Sequence, residues 1–153
     1  EFLNTYSQGG YNGGDQTSSR LRGQDLYLNH GQYLDGWSYF KNGIGTPFIS
    51  NIVNKEIPQS SLLFNNNRLQ AIYLGVIGNI NNLTFDFRIS HTKSLGSYLN
   101  RFSIPYEMLS SKLTFGKRIE KFENVSVLAG VSFDSGNLFN NTLGMMISVK
   151  KSW

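Results

Sequence analysis

The sequence lacks cysteine, is poor in charge and contains no long apolar run, and each absence excludes a class of protein. Without cysteine it forms no disulfide framework and no thiolate metal site. A transmembrane helix needs about 18 consecutive apolar residues, and no run in this sequence approaches that length. A β-strand that crosses a membrane needs only about 9–11 residues. Charged residues make up 16% of the chain, against about 25% in an average soluble domain. A helical membrane protein is therefore excluded, and a β-barrel is not.

Other missing features bear on partners and processing. The net charge is +4, but no long basic run occurs, so nucleic acid is not an expected partner. Histidines and carboxylates do not cluster at metal-ligand spacing, and we expect no metal or other cofactor. The chain begins with Glu1 and has neither a basic start nor an apolar leader, so we expect a processed protein or a piece of a longer one.

The stretch Asn141–Trp153 carries the clearest pattern that is present. Every second residue back from Trp153 lies on a largely apolar face, and the residues between are mostly small or polar. A period of two over this length indicates a long β-strand with one face in an apolar medium. An aromatic residue at the end of that face is typical of the closing strand of an outer-membrane barrel. The last strand of a soluble β-domain is the alternative.

The same period predicts an all-β antiparallel meander. The expected strands are residues 1–8, 68–78, 83–92, 107–118, 124–134 and 141–153. In the clearest strand, Asp86 and Arg88 alternate with aromatic and aliphatic residues. Burying this pair in a dry core would be costly, whereas a water-filled barrel interior accepts it. We expect lipid-facing side chains at Leu83, Phe85, Phe87, Ile89, Val125, Val127, Val131, Leu143, Ile147 and Val149. We expect interior-facing side chains at Asp86, Arg88, Lys112 and Ser148.

The lengths of the predicted connections alternate. Short turns are expected at Asn79–Asn82 and Ile119–Glu123, and longer connections at Gly9–Asn67, Thr92–Pro105 and Asp134–Asn140. Outer-membrane barrels have short periplasmic turns and longer outer loops. With the C-terminus on the periplasmic side, as in such barrels, the pattern makes residues 9–67 a long extracellular loop.

Within that loop, several motifs carry a family resemblance. They are His30-Gly31-Gln32-Tyr33, Gly36-Trp37-Ser38-Tyr39 and Gly43-Ile44-Gly45-Thr46-Pro47, followed by Asn67-Arg68-Leu69 and Leu74-Gly75-Val76. The chain resembles the capsule-assembly outer-membrane proteins called Wzi, densely at residues 29–47 and loosely elsewhere. The resemblance implies the C-terminal portion of a barrel with many more strands. It also implies a non-catalytic role in holding capsular polysaccharide at the surface of a Gram-negative cell, among outer-membrane lipid and lipopolysaccharide.

The loop also holds a concentration of aromatic residues. Flat aromatic faces with neighbouring amides and carboxylates suit sugar rings, so we expect polysaccharide contacts from this segment. The candidate residues are Tyr27, Tyr33, Asp35, Trp37 and Tyr39. Alternatively, these aromatics pack the loop down, with Trp37 as its core.

Two further functions remain as alternatives. A porin or small-solute channel requires an open interior, with residues 9–67 folded away from it. A lipid-acting barrel enzyme requires His30 or His91 to bond a serine hydroxyl. Neither histidine stands in a catalytic motif, and no catalytic residue is expected.

The closing strand and the strand count complete the predictions. Resemblance to outer-membrane proteins implies that the barrel-assembly machinery recognises the last strand, through Leu143, Ile147, Val149 and Trp153. The six predicted strands are fewer than the about eight of the smallest single-chain barrels. Because open strand edges are not tolerated in lipid, we expect 1–8 and 141–153 to be edges that pair with the remaining strands of a larger barrel.

Overall fold

The computed structural model is all-β in the residues it describes, which are 1–6, 27–30, 32–33, 35–51, 63–119 and 125–151. The strands are β1 (Phe2–Asn4), β2 (Ser38–Tyr39), β3 (Asn42–Gly43), β4 (Leu69–Ile80), β5 (Leu83–Gly96), β6 (Arg101–Ile119), β7 (Val125–Gly136) and β8 (Thr142–Lys151). Across these ranges there is no helix of the length and apolarity that would span a membrane. The predicted all-β class is confirmed.

The long strands form one antiparallel meander. Its six-stranded sheet has the order β1-β4-β5-β6-β7-β8, and β2 and β3 form a separate two-stranded sheet. The strands β1 and β8 are the edges of the larger sheet, which is not closed into a ring. The predicted meander is therefore confirmed, and its closure into a barrel is not part of this structure.

The turn between β4 and β5 is tighter than its composition suggested. We expected a turn over Asn79–Asn82, but β4 continues to Ile80 and β5 begins at Leu83. Asn81 and Asn82 alone make the connection, with φ angles of 46° and 65°. Positive φ at both central residues defines a type I′ hairpin turn, which asparagine tolerates. The strand consequently ends later than the predicted 68–78.

The predicted loop over Thr92–Pro105 is wrong. The strand β5 continues to Gly96 and β6 begins at Arg101, which leaves only residues 97–100 as the connection. Gly96, with φ of 81°, starts the tight turn, and the Ser97 amide donates to the Asn100 oxygen at 2.9 Å. Pro105 lies in β6 before the pairing with β7, which starts at Met108. Its missing N–H therefore breaks no ladder bond with β7.

The described connections between the long strands are all short. Residues 97–100 and 137–141 are longer than the turn at 81–82, as predicted, but both are shorter than the predicted 92–105 and 134–140. The predicted turn at Ile119–Glu123 falls almost wholly outside the described residues. The predicted order of lengths therefore holds among the described connections, but the differences are small.

The register of β6, β7 and β8 separates the residues into two faces. Leu113, Val131 and Met145 lie opposite one another, and so do Lys112, Ser132 and Gly144. Directly opposed residues share a face of a sheet. The largely apolar face includes Leu113, Phe115, Val127, Ala129, Val131, Phe133, Leu143, Met145, Ile147 and Val149, and the same register also places Ser111, Lys117, Ser135 and Lys151 on it. The more polar face includes Ser110, Lys112, Thr114, Gly116, Ser126, Gly130, Ser132, Asp134, Gly144 and Ser148, and the same register also places Met108, Leu128 and Met146 on it.

The strand β5 follows the same division. The Thr84 hydroxyl lies 2.5 Å from the position that a Gly116 Cβ would occupy, so Thr84 shares the polar face with Gly116. Alternation then places Asp86 and Arg88 on that face. Phe85, on the opposite face, fills the space beside Gly78 of β4. The predicted two-face pattern of this strand is confirmed.

The chain divides into two compact units. One comprises Glu1, Ile72–His91 and Glu107–Trp153, and the other comprises Phe2–Ala71 and Thr92–Tyr106. The second unit contains the hydrophobic core cluster of Ile49, Phe64, Leu69 and Ala71, against which Leu3, Leu28, Phe48 and Leu63 pack. Several of these residues belong to the segment predicted as a long loop, and its described parts therefore build a core.

The N-terminal strand is shorter than predicted. The strand β1 covers Phe2–Asn4, and residues 7 and 8 of the predicted 1–8 lie outside the described part. At Thr5 the side chain continues the pairing. Its hydroxyl donates to the Asn67 oxygen at 2.7 Å and accepts the Leu69 N–H at 2.9 Å. These bonds tie the N-terminal segment to the start of β4.

Candidate functional site

The predicted aromatic residues lie at the surface of the second unit. Trp37 is 67% exposed and Tyr39 is 71% exposed, and Tyr27 and Tyr33 are exposed as well. Asp35 also lies at the surface. Large aromatic side chains left in water are available for contact with a ligand.

Trp37 and Tyr39 lie on a β-hairpin. Ser38 pairs with Gly43 and Tyr39 with Asn42. Trp37 extends the ladder, since its backbone oxygen accepts the Ile44 N–H at 3.1 Å. The turn residues Phe40 and Lys41 have φ angles of 47° and 64°, which is the type I′ geometry that matches the twist of the strands.

The two faces of this hairpin differ in their surroundings. Gly43 faces inward: a Cβ there would lie 3.2 Å from both the Phe64 ring and the Ile49 oxygen. Ser38, opposite Gly43, lies on the same inner face. Alternation then places Trp37, Tyr39 and Ile44 together on the outer face. We call these three residues the aromatic face.

Trp37 is therefore not the core of the loop, and the packing alternative is wrong on this point. Phe64 takes that position, with 1% of its surface exposed. The packing alternative placed Trp37 in the core because a long loop needs a packed anchor to be ordered. The sequence could not show that the hairpin register turns Trp37 away from the core.

Side-chain amides hold the segment before the hairpin in place. Asn29 donates to the Phe64 backbone oxygen at 2.7 Å and accepts the Phe64 N–H at 3.0 Å. Asn67 donates to the backbone oxygen of Tyr27 at 3.0 Å. The Trp37 N–H donates to the Leu28 oxygen at 2.8 Å. The aromatic face thus stands on a segment fixed at several points.

Tyr33 and Asp35 lie in the turn that leads into the hairpin. The Gly36 N–H donates to the Tyr33 oxygen at 2.8 Å. The Tyr33 ring packs against His30, with centroids 5.1 Å apart, and Tyr39 meets Phe40 edge to face at 4.5 Å. The structure thus joins Trp37 and Tyr39 on one face, while Tyr33 packs with His30.

A second candidate surface lies on the polar face of the large sheet. Arg88 donates from Nε to both oxygens of Asp86, at 2.9 and 3.1 Å. An open groove runs beside this pair and is rich in hydroxyls. Its lining includes Tyr73, Arg88, Ser90, Ser110, Lys112, Ser132 and Asp134. The predicted grouping of Arg88 with Lys112 is confirmed.

The histidines lack the contact that the lipid-enzyme alternative requires. His30 accepts the Gln32 N–H on Nδ1 at 3.2 Å, and His91 lies 3.7 Å from a Glu107 oxygen. In the part of the chain that the structure describes, neither imidazole bonds a serine hydroxyl.

The residues predicted for barrel assembly lie on the edge strand β8. Leu143, Ile147 and Val149 are all more than half exposed and lie on the apolar face. Trp153 lies outside the described residues. The edge position of β8 leaves one side of this strand open.

Sequence reasoning missed a cluster around Arg68. This side chain packs between the rings of Tyr6 and Tyr98. The three residues are far apart in the chain and belong to no common motif. The resemblance motif Asn67-Arg68-Leu69 contains Arg68 but gave no sign of its contacts with Tyr6 and Tyr98.

Comparison with known proteins gives no identification. No family model matches the chain, and neither a curated protein nor a solved structure matches it.

Proposed function

We propose that this chain is part of an outer-membrane β-barrel. Support comes from two adjacent rows that are apolar on β6, β7 and β8, Leu113–Val131–Met145 and Phe115–Ala129–Ile147. Met145 and Ile147 in these rows are about four-fifths exposed, at 80% and 81%. An outward apolar band opposite a polar interior is characteristic of such barrels. The apolar face contacts lipid in this proposal, and the polar groove lines the interior.

The open sheet edges pair with the remaining strands of a larger barrel. Unpaired backbone groups in lipid cost several kcal/mol each, so a membrane sheet must close on itself. β1 and β8 are the edges that need partners. The barrel-assembly machinery recognises β8 through its exposed apolar residues and Trp153.

The function that the site supports best is non-catalytic binding of capsular polysaccharide at the cell surface. The observation that carries it is the aromatic face, because Trp37 and Tyr39 are displayed side by side on an anchored hairpin. Pre-ordered aromatic surfaces bind with little loss of conformational entropy. The resemblance of residues 29–47 to Wzi proteins supports a capsular glycan as the ligand.

Removing the aromatic face tests this function. Replacing Trp37 and Tyr39 with alanine should weaken capsular polysaccharide binding about fivefold or more, as expected for a contact of over about 1 kcal/mol. Isothermal titration with the detergent-solubilised chain measures the affinity. Phe139→Ala removes an exposed aromatic outside the hairpin and serves as the matched control. Equal affinities in all variants would contradict the proposal.

A second function has one observation in its favour. The polar groove contains Arg88 and Lys112 among many hydroxyls, which suits a channel for small polar solutes. Single-channel recording in planar bilayers distinguishes the two functions. Steady conductance that Lys112→Glu alters would favour the channel.

A further inference from the structure

Arg68 is a buried cation fixed by two aromatic rings. Only 6% of its surface is exposed. Its Cζ lies 4.3 Å from the centroid of the Tyr98 ring and 4.8 Å from that of Tyr6. Its Nε donates to the Tyr6 backbone oxygen at 3.1 Å, and the Tyr98 hydroxyl donates to the same oxygen at 3.2 Å. The guanidinium is thus held before any ligand binds.

A second arginine shares one of these rings. The Cζ of Arg101 lies 5.9 Å from the centroid of Tyr98, and its side chain is exposed at the start of β6. The ion pairs of the described residues are Arg88–Asp86 and His91–Glu107, and neither Arg68 nor Arg101 takes part in them. Among the described residues, two cations therefore meet at one ring with no carboxylate paired to either.

Within the described part of the chain, no ion pair compensates the charge of Arg68. Removing an arginine from water is costly unless an anion pairs with it, and stacking on aromatic rings offsets only part of that cost. Because the Arg68 Nε is occupied by Tyr6, its Nη groups remain for another acceptor. A guanidinium presents these donors in a plane that matches the two oxygens of a carboxylate.

We propose that Arg68 and Arg101, at the Tyr98 ring, bind the carboxylate of an acidic sugar such as a uronic acid. The inference rests on the proposed polysaccharide function, to which it adds the charge class of the ligand. The carboxylate pairs with the buried Arg68, and Arg101 supplies the solvent-side charge.

Titration of two glycans of equal length tests the site. The full chain in detergent micelles is titrated with trigalacturonic acid and with neutral maltotriose at low salt. The acidic trimer should bind about tenfold more tightly, which is the equivalent of one charge-assisted hydrogen bond. The preference should shrink in 0.5 M NaCl, because salt screens the exposed charge of Arg101 (Debye length about 3 Å at 1 M and 10 Å at 0.1 M).

Substitutions show which residues cause the tighter binding of the acidic trimer. Arg101→Gln should abolish most of the preference for the acidic trimer over the neutral one. Lys150→Gln removes one exposed charge elsewhere and should leave this preference unchanged. Arg68→Lys keeps the charge but loses the planar donor pair, and it should also reduce the preference. Near-ultraviolet circular dichroism confirms that each variant is folded.

The outcomes separate this inference from the proposed function. Equal binding of the two trimers, with loss of both in the Trp37→Ala variant, overturns the acidic-sugar site and leaves the aromatic face intact. Tighter binding of inorganic phosphate than of trigalacturonic acid overturns the assignment to a sugar carboxylate. Binding of neither trimer overturns both proposals.

Discussion

The side chain of Asn29 pairs with both backbone groups of Phe64. Its amide donates to the Phe64 oxygen at 2.7 Å and its carbonyl accepts the Phe64 N–H at 3.0 Å. The Asn29 side chain thus forms the pair of hydrogen bonds that the backbone of a neighbouring β-strand would form. Phe64 packs under the hairpin at Gly43, so this pair links the segment before the aromatic face to the core beneath it.

Asn29→Ala should destabilise the aromatic face, although Asn29 is not one of its residues. The substitution leaves the Phe64 backbone N–H and oxygen without these partners, at a cost of about 1–3 kcal/mol per buried group. We expect weaker glycan binding and faster hydrogen exchange at Trp37, measured by mass spectrometry. Gln32→Ala, at an exposed position of the same segment, is the control. Unchanged exchange at Trp37 would show that the Asn29 pair does not anchor the hairpin.

Gly36→Ala should prevent the hairpin from docking. Gly36 has a φ of 53°, and a Cβ at this position would lie 1.9 Å from the Leu28 backbone oxygen. Gly45→Ala is the matched control, because Gly45 also has a positive φ of 116° but nothing lies within 4 Å of its Cβ position. Tryptophan fluorescence during thermal unfolding reports the difference. A similar loss of stability in both variants would mean that φ strain, and not the Leu28 contact, requires glycine here.

Lysine substitutions at Ile147 and Ser148 test whether one face of β8 contacts lipid and the other does not. These neighbours lie on the apolar and polar faces respectively. In a membrane barrel, Ile147→Lys should cost up to about 2–4 kcal/mol at the bilayer midplane, whereas Ser148→Lys should be tolerated. Urea unfolding in phospholipid vesicles measures both. If the variants lose equal stability, or if the unaltered chain is a soluble monomer without detergent, the membrane assignment is wrong.

Deletion of Trp153 should impair barrel assembly. In the sequence, Trp153 continues the alternating pattern of Leu143, Ile147 and Val149, and the assembly machinery recognises this pattern in our proposal. We expect precursor to accumulate in the periplasm, as seen by cell fractionation and immunoblotting. Trp153→Phe keeps an aromatic end and should restore insertion. Normal insertion of the deletion variant would argue against this role.

The alternation of residues was sufficient to predict the long strands and their faces. In β5, β6 and β7 the period of two could be recognised without tertiary information, because the side chains of a strand alternate by geometry. The same pattern placed Arg88 and Lys112 on one surface, where they line a common groove. Strand ends were less accurate, since Gly96 and Pro105 signalled a loop and lie within strands.

The aromatic face was predicted only in part. The sequence gave Trp37 and Tyr39 among five candidate residues and left two interpretations open, a sugar-binding surface and a packed core. The choice depends on the hairpin register and on Phe64, which fills the space below Gly43. The hairpin pairing is local, but which of its faces is covered depends on Phe64, which belongs to a separate segment of the chain.

The sequence by itself determined the β-class, the two-faced strands and the concentration of aromatic residues in one segment. It also predicted that the first and last strands are the sheet edges, as they are in the structure. The tertiary structure alone decided the exposure of Trp37 and the stacking of Arg68 between Tyr6 and Tyr98. The physical reason is the range of the interactions. Alternation is a property of neighbouring residues, whereas Arg68 and Tyr6 are 62 positions apart and meet only because β1 and β4 pair in one sheet.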